Sequence, residues 1–284
     1  MFNCADISPD GRFLVTGTEE GEVAVWSILS GEQRDVLRRG IDAITSVACS
    51  FDGDFVAMST RGATVEVLDM RTGRCLYRAD AEDGTFIFLA WMPTSGRLLT
   101  SDDGYALLMI TWQSDSHAVR FDGHGGHVTA ARATADEGYL VSASLDASVR
   151  VWSVSTAQCL RVLRGHTDHI NSMALQDDLI VTGSRDGTVR LWSFSTGVCT
   201  KTLHEEDGML GLPACCVTAV SVTPDGGVVA SGTDRGRVTL WQTDTGRSYA
   251  SKQREQNNNS WDFIEQLLFA PRLVSLDELG SRVA

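Results

Sequence analysis

Two stretches of the sequence set a histidine, a serine, an aspartate and a tryptophan at nearly fixed intervals. "GHGGHVTAARATADEGYLVSASLDASVRVW" (123–152) carries His124, Ser144, Asp146 and Trp152; "GHTDHINSMALQDDLIVTGSRDGTVRLW" (165–192) carries His166, Ser184, Asp186 and Trp192. Serine, imidazole and carboxylate are the parts of a nucleophilic triad, in which histidine takes the seryl proton and aspartate fixes the tautomer. "HGGH" and "HTDH" also place histidines three apart, a spacing zinc can use, and Cys215 and Cys216 offer thiols to complete such a site. A catalytic centre is needed once, however, and this set recurs after 42 residues. Recurrence favours architecture over catalysis or metal binding. His124 and His166 are then structural, and His127 and His169 are left as single surface residues.

The elements that would position these side chains follow from the tryptophans. Trp26, Trp152, Trp192 and Trp241 each close a β-rich run such as "VTGTEEGEVAVW" or "ASGTDRGRVTLW". The steps between them are 126, 40 and 49 residues, the first being three steps of 42. Two degenerate copies fill that gap: one puts Leu68 at the tryptophan position, the other either Met109 or, with a short insertion, Trp112. Turn signals of the Pro-Asp-Gly kind recur at 8–11, 51–53 and 223–226, and "STGVC", "STAQC" and "RTGRC" mark another turn. Three turns within about 40 residues divide each copy into four short strands, and no stretch has a helical period. Cys75, Cys159 and Cys199 recur at one place in the last strand and read as packing residues.

Four-stranded units at this period are the signature of propeller blades. The Gly-His opening, the Pro-Asp-Gly turn, the Ser/Thr-x-Asp-Gly turn and the closing tryptophan resemble the WD-repeat (WD40) family over essentially the whole chain. Where that family writes Trp-Asp, this chain has Trp-Ser at 26, 152 and 192. The resemblance implies an all-β fold, a single β-propeller domain with six complete blades over about 1–39, 40–80, 81–122, 123–164, 165–206 and 207–255. A partial seventh covers 256–284, where "FIEQLLFAPRLVSLDELGSRVA" opens a further copy and stops short of its tryptophan. The expectation is a fragment or shortened form of a longer chain, with "SKQREQNNNSWDF" (251–263) a long loop that returns through Trp261 and Phe263.

The resemblance also implies a buried hydrogen-bond chain in each blade: His124, Ser144, Asp146 and Trp152 in one, His166, Ser184, Asp186 and Trp192 in the next. The physical logic is that an indole N–H can only donate, and a buried donor left unpaired costs about 1–3 kcal/mol. Elsewhere the chain is incomplete. Glu20 stands at the aspartate position near Trp26, Arg235 near Trp241 with Asp234 just before it, and His204 substitutes for the missing Gly-His of the latter copy.

The bulk properties bound the function. A formal charge of −13 opposes nucleic-acid binding, which needs Lys and Arg to displace counterions, and opposes docking on anionic membranes. The longest apolar run, "FIFLAWM" (86–92), is far short of a membrane helix, and "MFNCADISPDG" lacks the features of a signal peptide. Seven sparse cysteines suit reduced thiols and a cytoplasmic protein, with the nucleus as the alternative. No cofactor, metal, small-molecule substrate or enzymatic activity is expected. The implied function is a protein-interaction scaffold in a multiprotein complex. Its partner-binding face would carry the residues just before each turn aspartate, Glu19, Arg61, Asp102, Leu145, Arg185 and Asp234, with His127 and His169 beside them. Two alternatives stay open. One is a regulatory module of a larger NACHT-type ATPase. The other is a substrate receptor of a cullin-4 ubiquitin ligase, because "VLDMR" (67–71) is similar to a Trp-Asp-x-Arg box with Leu68 in place of the aromatic.

Overall fold

Runs of about six residues rich in β-branched and aliphatic side chains, each ended by a turn signal, have one economical outcome: short antiparallel strands. The structure, a computed structural model, describes residues 2–40, 42–80, 88–103, 105–114, 118–205 and 215–253. Among these, all regular structure is strand. The first sheet holds Phe2–Ile7, Phe13–Thr18, Glu22–Ser27 and Gln33–Arg39, the second Ile44–Cys49, Phe55–Thr60, Thr64–Asp69 and Cys75–Asp80. The third holds Ala90–Trp91, Leu98–Ser101, Leu107–Ile110 and Val119–Phe121, the fourth Val128–Ala133, Tyr139–Ser144, Ser148–Ser153 and Cys159–Arg164. The fifth holds Ile170–Gln176, Leu179–Ser184, Thr188–Ser193 and Cys199–His204, the sixth Val217–Val222, Val228–Thr233, Arg237–Gln242 and Ser248–Gln253. Every sheet is an antiparallel meander in chain order. The expected partial seventh blade at 256–284, with Trp261 and Phe263, lies outside the described residues.

First strands of consecutive sheets lie side by side, and the fourth strands form the outer edge. Burial follows this arrangement: Thr64–Asp69 is buried along nearly its whole length, whereas Cys75–Asp80 is mostly exposed. Five apolar clusters fill the spaces between neighbouring sheets. Val15, Val23 and Val25 of the first sheet pack on Ile44, Val56 and Leu68 of the second, and Val141, Val149 and Val151 of the fourth on Ile170, Ile180 and Trp192 of the fifth. A β-carbon on Gly17 would sit 2.5 Å from Ile44, so only glycine permits that approach.

A polar seam reinforces this packing. In five sheets the first strand carries a bulge at its second residue, and in three of them that side chain reaches the next sheet. Asn3, Thr129 and Asn171 donate to the carbonyls of Ile44, Ile170 and Val217, each the opening residue of the next sheet's first strand. Further along, Asp6 and Ser172 accept the N–H groups of Cys49 and Val220 at 2.7 and 3.1 Å. The turns after the first strands are fixed by a hydroxyl donating to an aspartate two residues on: Ser8 to Asp10, Ser50 to Asp52, Thr134 to Asp136 and Thr223 to Asp225.

Candidate functional site

The residues with a catalytic composition form closed chains inside the fourth and fifth sheets. Trp152 Nε1–H donates to Ser142 Oγ at 2.8 Å, Ser142 Oγ lies 2.8 Å from His124 Nε2, and His124 Nδ1 lies 2.9 Å from Asp146 Oδ2. The fifth sheet repeats this as Trp192–Thr182 at 2.9 Å, Thr182–His166 at 2.8 Å and His166–Asp186 at 2.8 Å. The carboxylate selects the Nδ1–H tautomer, which leaves Nε2 to accept the hydroxyl proton, so every donor meets an acceptor.

Burial of His124 pulls its pKa below the usual imidazole value despite the aspartate beside it, which keeps the ring neutral. Burial opposes ionisation of Asp146, but the Ser148 hydroxyl, the Gly125 N–H and His124 outweigh it and hold the carboxyl well below its usual range. Asp186 is held low in the same way against burial by His166, the Thr188 hydroxyl and the Thr167 N–H. Ser142 and Thr182 are fully buried, and each oxygen already holds an indole N–H. Neither can reach a substrate, so the triad-like composition here serves the packing of tryptophan.

Ser144 and Ser184 are not members of these chains. Ser144 Oγ donates to the Gly126 carbonyl and accepts the Asp146 N–H; Ser184 does the same with the Asp168 carbonyl and Asp186 N–H. They cap the turn that carries the aspartate. The physical reason is register. Trp152 pairs across the ladder with Leu140, and its ring leans to the next residue on that face, Ser142. The hydroxyl partner lies ten residues before the indole throughout: Thr16 for Trp26, Ser142 for Trp152, Thr182 for Trp192 and Ser231 for Trp241.

The remaining sheets meet the same need differently. In the sixth, buried Glu205 replaces the imidazole–aspartate pair: Ser231 Oγ donates to its Oε1 and Thr239 Oγ1 to its Oε2 at 2.9 Å. His204, the substitute expected from the sequence, is the exposed last residue of its strand. In the third sheet Leu98 pairs with Ile110 as Leu140 pairs with Trp152, and Tyr105 takes the positive φ five residues before Ile110 that Ala147 takes five before Trp152. Ile110, rather than the expected Met109 or Trp112, therefore stands at the tryptophan position. The second sheet has Leu68 there and Met58 at the hydroxyl position, so no donor needs a partner. Its buried Glu66 instead binds Arg38 of the first sheet at 2.9 Å and Arg78 at 3.3 Å.

The residues expected on the partner-binding face share one backbone arrangement. The N–H groups of Arg61, Leu145, Arg185 and Asp234 donate to the carbonyls of Ala43, His127, His169 and Cys216, each the residue before a first strand. Arg61, Arg185 and Asp234 are exposed and Leu145 is partly so; Glu19 is exposed in its own turn. Asp102 differs: its N–H bonds to Ala106 O, and its carboxylate takes the Ala106 N–H and the Arg120 guanidinium at 2.5 Å. His127 stacks edge-on against Tyr105 at 4.8 Å, and His169 lies beside Asp168. Within "VLDMR", Leu68 is buried and Asp69 Oδ1 takes the Arg71 N–H together with the N–H and hydroxyl of Thr72.

Four-stranded meanders set side by side through their first strands, with tryptophans satisfied from within, define a β-propeller. The sequence pattern of the WD domain, G-beta repeat, matches residues 2–27, 116–153, 157–193 and 198–242, more than half of the chain, which therefore belongs to the WD-repeat family. It is similar to WD repeat-containing protein 18 of Bos taurus, 25% identical over 183 residues that cover 57% of this chain and 42% of that protein. WD repeat-containing protein 1 of Mus musculus is 28% identical over 158 residues, 52% of this chain and 25% of that protein. Apoptotic protease-activating factor 1 of Danio rerio is 25% identical over 182 residues, 61% of this chain and 14% of that protein. The chain thus spans less than half the length of these relatives. Protein interaction through a propeller scaffold is the general function of the family.

Proposed function

We propose that this chain is a non-enzymatic scaffold in a multiprotein complex, engaging other proteins or peptides through the propeller face that carries Arg61, Leu145, Arg185 and Asp234. The observation that carries this reading is the shared hydrogen bond that fixes these residues in one conformation while their side chains differ in charge and polarity. A rigid frame presenting variable side chains suits recognition. Glu19, Asp102, His127 and His169 extend the surface, and the cytoplasm is the compartment this reading takes. The test is affinity capture with the wild-type chain and with Arg61→Glu/Arg185→Glu, their fold compared by circular dichroism. Loss of a defined set of partners from the variant is the expected result; identical recoveries overturn the assignment of this face.

A second reading, the regulatory module of a larger NACHT-type ATPase, fits a chain that spans 42% or less of the length of the relatives named above. A Gly-x-x-x-x-Gly-Lys-Ser/Thr loop on the same polypeptide supports it, because such a loop cradles nucleotide phosphates. A polypeptide without one removes it.

A further inference from the structure

The strands alternate in direction, so the turns at Ser50–Asp54 and Thr111–Ser114 lie at the end of the propeller opposite the face just described. Between the second and third sheets at that end is a cavity of about 140 Å³, walled by Phe51, Phe55, Trp91 and Trp112 with Asp52 at its edge. Phe55 and Trp91 meet Trp112 edge to face at 5.1 and 6.2 Å, and Phe51 is 57% exposed. An aromatic this exposed at the mouth of an aromatic cavity is not explained by the core.

The hydrogen-bonding groups define what the cavity would take. Trp91 Nε1–H is committed to Ala48 O and Trp112 Nε1–H to Gly96 O. The Ser50 hydroxyl is committed to Asp52 Oδ1, which also takes the Asp54 N–H. Asp52 Oδ2 has no hydrogen-bond partner among the described residues. The third-sheet wall is held in place, because the N–H groups of Thr94 and Ser95 both donate to Glu137 Oε1 of the fourth sheet, at 2.6 and 2.8 Å. The cavity therefore presents aromatic surface and one uncommitted carboxylate oxygen, with no cationic side chain among the described residues that line it. Aromatic faces attract cations through their quadrupole, and a carboxylate completes such a site. The whole chain, with 37 acidic against 24 basic residues, attracts the same kind of partner.

We propose that this cavity is a second docking site, separate from the turn face, for a lysine or arginine side chain of a partner protein. The alkyl stem lies along Phe51 and the indoles, and the charged head sits at Asp52.

The test follows the Trp112 indole N–H signal of the ¹⁵N-labelled chain by NMR, with Trp192 of the fifth sheet as internal reference. The probes are acetyl-Gly-Gly-Lys-Gly-Gly-amide and its norleucine and glutamate counterparts. The lysine peptide is expected to shift the Trp112 signal saturably and leave Trp192 unmoved, with norleucine and glutamate about tenfold weaker or silent. Asp52→Asn keeps the Oδ1 acceptor and removes the charge, and should weaken the lysine peptide about tenfold; Phe51→Ala, at an exposed site, should weaken it too. Norleucine binding as tightly as lysine, an unchanged affinity in Asp52→Asn, or no saturable shift with lysine would each overturn the proposal.

Discussion

Replacing Ser142 by alanine tests the hydrogen-bond chain at its centre. The substitution removes the acceptor of the Trp152 indole and the donor to His124 Nε2 together, at a position with no exposure to water. A buried polar group left unpaired costs about 1–3 kcal/mol, and two groups in one network are not fully additive, so the expected loss is about 2–4 kcal/mol. At about 3 °C per kcal/mol for a chain of this size, Tm falls by roughly 6–12 °C. Ser142→Thr is the rescue, because Thr182 and Thr16 already serve tryptophans from the equivalent position, and it should stay within about 1 kcal/mol of wild type. Ser144→Ala also destabilises by removing a turn cap, so stability alone does not separate the two sites. Hydrogen exchange at the Trp152 indole does: it should accelerate in Ser142→Ala and keep its wild-type rank among the indoles in Ser144→Ala. The opposite pattern would refute the register on which the assignment rests.

Two further predictions concern the turns and the pH response. Ala147 holds φ +63° where the fifth sheet has Gly187 at +81°, so Ala147→Gly should relieve about 1–2 kcal/mol of backbone strain. Set against the greater freedom of glycine in the unfolded chain, the net gain is about 0.5–1 kcal/mol, read as a higher Tm. Acidification should destabilise the fold. His124 and Asp146 have lowered folded pKa values, so the stability they contribute is complete above their unfolded values, 6.5 and 3.8, and is lost as pH falls through the folded ones. Asp6 acts in the opposite sense: burial raises it to about 6, so its contribution is complete below 3.8 and lost as pH rises through 6. Urea titrations should show a shallower acid limb in Asp146→Asn, and a steeper fall between pH 6 and 4 in Asp6→Asn; unchanged limbs would contradict these assignments.

The architecture was legible because its signals are local and repeated: turn residues, strand-length apolar runs and a tryptophan at a near-constant step. The site was legible only in part, for reasons that lie in strand geometry. All four tryptophans have a hydroxyl residue both eight and ten positions before them, Thr18 and Thr16 for Trp26, Ser144 and Ser142 for Trp152. Residues two apart share a face of a strand, so alternation cannot choose between them; the cross-strand partner of the tryptophan does. The same one-step sensitivity separates exposed His204 from buried Glu205. Glu66 carried no signal beyond a charge within an apolar strand, because its two arginine partners come from different strands and one from another sheet.

The apolar clusters that straddle neighbouring sheets bear on how the chain is made. A meander emerging from the ribosome has no interior to close upon; its flank stays wet until roughly forty more residues have appeared and turned back beside it. Assembly is therefore sequential, each newcomer sealing the one before, and the growing end always carries an uncovered greasy surface. A stall in translation at any such point would leave that surface open to whatever chaperone or neighbour arrives first.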